Sequence, residues 1–412
     1  MESRNQEIIS GIDENIDTVT EINDESTGAE ETTAPENKKR SRNPIKRMKE
    51  GGLFNLPFKI VGWTFLASFV IYLVSRFVPA FAEFWTKYPA HWIRFILAKI
   101  TGWFPFSLAE CLLVCIPVFT LAYIIASSVS SRRDGSDRNF YRWVRPMLIL
   151  VMVLLLLFFA AFGPAYGRYT LSKNLGLEQA AVSADELFDT ALSVSSGAID
   201  VLDNVKFDSS GASIMPYDYN TLVEKVNDAF EKHAEKAEYI SHFDSTPKAI
   251  ALSEPMTYTH ISGVYTFMTG EANINTNYPD FLMPFTMAHE MAHQRGIARE
   301  DEANFVAFLV CIGSNDDYIR YSGYANMANY LNSALSKADK DKYRTFYLNY
   351  LPEELQKEFI AYSDFFDKYR DSVAADISGA INDAYLQANN TAGTASYGLV
   401  VDLAVAYFKD LK

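Results

Sequence analysis

The chain has 412 residues, a formal net charge of −14 and an apolar fraction of 49%, a length that suits two or three structural units. That charge argues against a nucleic-acid partner, because a phosphate backbone needs a basic face. The long apolar runs all lie before about residue 165, so a membrane part precedes a soluble part.

Residues 1–36 are acidic and poor in aromatics, which predicts disorder. The charge then changes sign through Lys38, Lys39, Arg40, Arg42, Lys46, Arg47 and Lys49. A basic run directly before an apolar segment reads as a cytoplasmic membrane flank. Residues 1–50 are therefore expected to be a disordered cytoplasmic tail. They lack the apolar core of a cleavable signal peptide.

Three apolar segments follow, at about 60–78, 107–127 (with Pro117 as a kink) and 147–163. Each is near the roughly 20 residues a helix needs to cross the hydrocarbon core, and each is apolar on every face. The loop between the second and third carries Arg132, Arg133, Arg138, Arg142 and Arg145, which places it on the cytoplasmic side. The loop between the first and second has Lys87, Arg94 and Lys99 offset by Glu83. Its Trp85, Tyr88, Trp92 and Trp103 suit a helix at the membrane surface. This divides the chain into a tail (1–50), a membrane domain (51–165) and an extracytoplasmic domain (166–412).

In the last of these, apolar residues recur at helical spacing. Helices are predicted near 184–200, 217–238, 281–295, 299–313, 315–336, 339–349, 352–373, 375–388 and 396–410. Strand signals are confined to Lys248–Ser253, Ile261–Thr269 and Glu271–Asn277. Cys111 and Cys115 lie in an apolar run and Cys311 in a predicted helix, so no disulfide framework can be read.

Met287 to Arg295 reads MAHEMAHQR, which contains His-Glu-x-x-His as His289, Glu290 and His293. Four residues apart on a helix, the two imidazoles project from one face and can meet one zinc ion. Glu290 then lies beside the metal, where it can act as a general base on water. Gly296 can end that helix, and a second begins at Arg299. Its first turn offers Glu300, Asp301 and Glu302 as a third ligand, although acidic residues there also simply complement the helix dipole. Glu300 shares a face with Ala303, Ala307 and Cys311, whose small side chains permit a close helix approach; Glu302 shares one with Val306 and Leu309. Glu300 is the preferred ligand and Glu302 the alternative. Asn304, one turn from Glu300, is expected to hydrogen-bond a ligand histidine.

HExxH followed by Glu-x-x-Ala-Asn-x-x-Ala resembles the gluzincin pattern, which implies Glu300 as ligand and Asn304 as its buttress. The spacing of six residues between His293 and Glu300 is shorter than in most gluzincins, which keeps Glu302 open. The chain also resembles the bacterial domain of unknown function 3810 family, over roughly 55–410. The matching segments are TGEANINTNYP (269–279), PFTMAHEMAHQRGIAREDEANF (284–305), RYSGY (320–324) and SYG (396–398). That resemblance implies membrane spans before an HExxH domain of zinc-peptidase type, with no established substrate.

Further candidates surround the motif. Glu271, Asn273 and Asn275 alternate in a segment that could hold a substrate backbone by strand addition. Arg320, Tyr321 and Tyr324 are candidates for stabilising an oxyanion. His91, His233, His242 and His260 are expected to be structural. The expected fold is mostly α: three transmembrane helices, then a zincin-like metallopeptidase domain with a small β-sheet. The expected cofactor is Zn2+, and the expected partners are the lipid bilayer and an extracytoplasmic peptide or protein substrate. The alternative is a zincin-fold membrane sensor without peptidase activity, but a pure binding domain does not need Glu290. An intramembrane protease would need HExxH inside an apolar span, whereas Gln294, Arg295, Arg299 and Glu300 follow the motif at once.

Overall fold

The apolar segments fold as long helices in a computed structural model that describes residues 43–50, 52–134, 137–178, 180–389, 391 and 399–411. The tail before residue 43 and the SYG segment at 396–398 lie outside the described residues. Helix α1 (Pro44–Glu50) leads to α2 (Leu56–Phe77), which Asn55 caps by accepting from the Phe58 N–H. Next come α3 (Pro79–Lys87), α4 (Pro89–Gly102), α5 (Leu108–Asp134), which runs through Pro117, and α6 (Asp137–Leu157). A π-helical turn (Phe158–Phe162) and a 3-10 turn (Gly163–Gly167) close this part. Three stretches, Leu56–Phe77, Leu108–Ser130 and Phe140–Gly167, are long and apolar enough to cross a membrane. They are called the first, second and third spans below. The third packs against both others.

Beyond the spans the chain forms α7 (Leu171–Leu175), α8 (Ala184–Leu202), the short pair β1 (Lys206–Phe207) and β2 (Ser213–Ile214), and α9 (Tyr219–Ala234). Strand β3 (Lys248–Ala249), α10 (Ser253–Thr257), β4 (Gly263–Thr266) and β5 (Glu271–Ile274) follow. The remaining helices are α11 (Leu282–Gln294), α12 (Glu300–Ile312), α13 (Asp317–Ala338), α14 (Lys340–Asn349), α15 (Glu353–Asp367), α16 (Val373–Ala388) and α17 (Val400–Asp410). Side-chain caps start several of them. Ser183 and Glu186 form a reciprocal capping box on α8, and Asp218, Asp316 and Asp339 cap α9, α13 and α14.

The three-stranded sheet has the order β3-β5-β4, with β5 parallel to β3 and antiparallel to β4. Helix α11 packs on β4 and β5, and α12 and α13 pack on α11, so the HExxH helix lies at the centre of the main apolar core.

From Met48 to Lys412 the chain packs as one unit, so residue 165 marks a change of composition and not a break in packing. The linking pieces are α3 and α4. The loop between the first two spans was expected to hold a helix at the membrane surface, with Arg94 counted among its few charges. Instead Arg94 is 1% exposed and its guanidinium reaches into the protein. Glu83 is likewise engaged, accepting two hydrogen bonds from Arg168 at 2.7 and 2.9 Å.

Candidate metal centre

Helix α11 begins beside Pro284 and ends at Arg295, where Gly296 takes a φ of +92°. The reversal points α12 back along α11. His289, His293 and Glu300 thereby meet, with their ligand atoms all within 4.8 Å of one another. Glu300 Oε2 lies 3.2 Å from His289 Nε2 and 3.6 Å from His293 Nε2. Three donors arranged tetrahedrally about 2 Å from a zinc ion would be about 3.3 Å apart.

The hydrogen bonding around the triad agrees with that use. His293 Nδ1 is 2.7 Å from the Ile297 carbonyl. A carbonyl can only accept, so Nδ1 donates to it, and Nε2 is the ring nitrogen that faces Glu300. His289 Nδ1 is buried without a hydrogen-bond partner. Burial works against ionisation of Glu300, but the two imidazoles hold its carboxyl well below the usual range. Burial also pushes the His293 imidazole down, while Glu300 and then Glu290 lift it to about 9. Among the described residues no Lys or Arg pairs with Glu300 or Glu290, so the acidic pair is left to attract a cation between the imidazoles. Two imidazoles and one carboxylate are a donor set that suits zinc.

Glu290 is 4% exposed and lies against strand β4. Burial raises its pKa, and the adjacent imidazoles oppose that rise. Gly263 makes the approach possible. A Cβ there would stand 2.8 Å from both Cγ and Oε1 of Glu290. On the far side, Phe162 at the end of the third span packs its ring edge-on to His293, with centroids 6.1 Å apart.

The other candidates lie elsewhere. Glu302 Oε1 accepts from the Leu171 N–H at 2.8 Å, and burial pushes its pKa up to about 7. That carboxyl holds the start of α7 rather than joining the triad. Asn304 is buried, but its Nδ2 has no partner and it bonds neither histidine. Glu271 accepts from the Leu108 and Ala109 N–H groups at 3.1 and 2.8 Å, capping α5 at the start of the second span. Asn273 accepts from Ser107 Oγ at 2.6 Å, and Asn275 bonds Thr257 and the Ile261 carbonyl. Glu271 and Asn273 lie in the central strand, which is buried on both faces, and Asn275 follows it directly, so these three side chains are joints within the fold; β3 and β4 are the edge strands. Arg320 pairs with Asp317, Tyr321 donates to Glu358 at 2.8 Å, and Tyr324 packs on Gly197 and Phe308. None of the three bonds the triad or Glu290.

Groups not singled out in the sequence complete the surroundings. Arg94 donates from Nε to the Gln294 carbonyl (3.0 Å), from Nη1 to Ala161 (2.8 Å), and from Nη2 to Thr86 (2.9 Å) and Arg295 (3.5 Å). It thus satisfies the C-terminal carbonyls of α11 and ties them to α3 and the third span. Burial lowers it to about 10, so it stays charged at neutral pH. Tyr385 of α16 places its hydroxyl 3.3 Å from that of Tyr166. Burial and, to a lesser degree, the charge on Glu300 push it up to about 12. The one sequence signal for Arg94 was a lone guanidinium in an apolar run; Tyr385 had none.

The remaining histidines are structural. His233 Nε2 is 2.6 Å from Tyr239 OH, His260 Nε2 is 2.8 Å from the Tyr369 carbonyl, His242 pairs with Asp244, and His91 packs on Phe95 and Phe243.

A largely buried His-His-Glu cluster with a glutamate beside it, near the end of the third apolar helix, defines the class of arrangement. The family model described as "Protein of unknown function (DUF3810)" matches residues 85–405, and the chain belongs to that family. No curated protein and no solved structure matches it.

Proposed function

We propose that the chain is a membrane-anchored, zinc-dependent peptidase of gluzincin-like, zincin type that hydrolyses extracytoplasmic peptide bonds. The convergence of His289, His293 and Glu300 with Glu290 buried beside them carries this reading. His289, His293 and Glu300 would hold the metal, which supplies a Lewis acid for the scissile carbonyl. Glu290 takes a proton from the attacking water and passes it to the leaving amine. Its burial suits that task, since a raised carboxylate pKa makes it a better base and a ready donor afterwards. The free edge of β4, next to Glu290, is the place for an extended substrate to add as a strand.

The charges flanking the spans support an orientation with the N-terminus and the Arg132–Arg145 loop in the cytoplasm and the cluster outside. Full-length protein in detergent tests the chemistry. The parent is expected to retain zinc and cleave a peptide library. Glu290→Gln should keep the metal and lose cleavage at least a hundredfold. His293→Ala and Glu300→Gln should lose most of the metal, and Glu302→Gln should keep it. Cleavage by Glu290→Gln at the parental rate would remove the mechanism.

A further inference from the structure

Helix α16 carries an apolar face that none of the described residues covers. Val373, Ile377 and Ile381 are 72%, 57% and 66% exposed. With Ala380, Ala384 and Ala388, also exposed, they occupy one arc about 100° wide at 100° per residue. Leu386, fully buried, lies on the opposite face. Asp376, Asp383 and Gln387 border the arc on one side, the pattern of a helix lying between water and lipid.

The position of α16 says what the arc meets. Just before its start, Tyr369 packs on Tyr258 and accepts from Asn277, while Lys368 pairs with Glu254 of α10. Helix α10 follows Ala251 and Leu252, whose N–H groups both donate to Glu110 in the first turn of α5. The N-terminal end of α16 is therefore tied to the head of the second span. At its other end, Arg76 donates to the Ala388 carbonyl at 3.0 Å and Tyr72 to Asn389 at 3.4 Å. Both donors lie in the last two turns of the first span. Over its 16 residues, about 24 Å, α16 runs from the end of one span to the end of another. Around those ends the chain exposes Phe77, Trp103, Phe104 and Phe106, the residue types of a membrane interface.

We propose that α16 is an interfacial helix, with its Val373–Ile377–Ile381 arc set among the lipids of the bilayer surface. This rests on the reading of the three apolar helices as membrane spans. Because the same helix sets Tyr385 against Tyr166, which packs on the Phe162 ring beside His293, the cluster then lies near the level of the lipid headgroups. Polypeptides held at the membrane surface are the substrate class it would meet.

Depth-dependent quenching tests the proposal. Single cysteines replace Ile377, Val118 of the second span and Leu348 of α14, in a full-length Cys111→Ser, Cys115→Ser background. Each is labelled with an environment-sensitive fluorophore in phosphatidylcholine vesicles. Doxyl groups high on the acyl chains should quench the label at 377, with a blue-shifted emission, and should leave 348 unquenched. Val118 should be quenched by doxyl groups set deeper. If 118 is quenched while 377 matches 348, α16 does not rest on lipid. If 377 is blue-shifted, unquenched and cross-links between copies, a second copy covers the arc and the proposal falls. An unquenched label at 118 would instead overturn the spans themselves.

Discussion

Gly263 has no side chain, and Glu290 and Thr286 occupy the room a methyl group would need, with approaches of 2.8 Å. A Gly263→Ala substitution is therefore expected to displace the Glu290 carboxylate while sparing the three ligand side chains. Misplacing a catalytic group by about an ångström lowers turnover roughly a hundredfold. Zinc content should match the parent and peptide turnover should fall by that order; unchanged turnover would place the base elsewhere. A second residue gives a pH dependence. His233 is buried against Tyr239, and burial lowers its pKa to about 4. The unfolded chain therefore binds a proton that the folded one refuses between pH about 6.5 and 4. Stability should be fully present above that window and decline as pH falls through it, by roughly 3 kcal/mol at most. Melting His233→Gln and the parent across this range should show a flatter profile for the variant. Parallel profiles would mean that His233 is not the titrating group.

At the scale of elements, the end of α11 depends on a side chain from between the first two spans. Among the described residues Arg94 has no carboxylate partner; four backbone carbonyls surround it. Removing a buried charge-assisted donor leaves its acceptors desolvated and unpaired. Arg94→Met is expected to destabilise the protein by roughly 3–5 kcal/mol, and Arg94→Lys to recover only part of this, since an ammonium lacks the guanidinium fork. Denaturant melts of the full chain in detergent check this; parental stability in Arg94→Met would show the clasp to be idle. The helices themselves were legible from sequence, because apolar residues at a period near 3.6 and caps such as Ser183 and Asp316 are local signals. Helix α11 was legible for the same reason, while the approach of Glu300 to His289 and His293 was read from the small side chains on its face of α12. The clasp was not, because Arg94 and Gln294 are 200 residues apart and only the fold joins them. Glu271, Asn273 and Asn275 misled because alternation suggests one wet face. A central strand is covered on both, and its polar groups bond to the fold instead.

At the scale of the whole molecule, the two ends of the third span make different contacts. Arg145 joins the start of the third span to Gly52, while Phe162 at its far end meets His293. The proposed orientation predicts the outcome of labelling intact cells with a membrane-impermeant thiol reagent, again without Cys111 and Cys115. A cysteine at Ser336 should react at once and one at Ser136 only after permeabilisation. The reverse would put the cluster in the cytoplasm.

Arg168 adds a further strand to this interlock, joining Glu83 of α3 to the Gly296 carbonyl just past the metal helix. Thr86, Arg94, Ala161 and Phe162, which clasp or pack on that helix, all precede the last residue of the third span. Any cut that shed the remainder of the chain from the cell surface would leave these pieces behind. On the proposed orientation and function, such shedding would end activity rather than release an active diffusible form. A newly made chain could finish its metal helix only once the segment between the first two spans had been delivered to the same side.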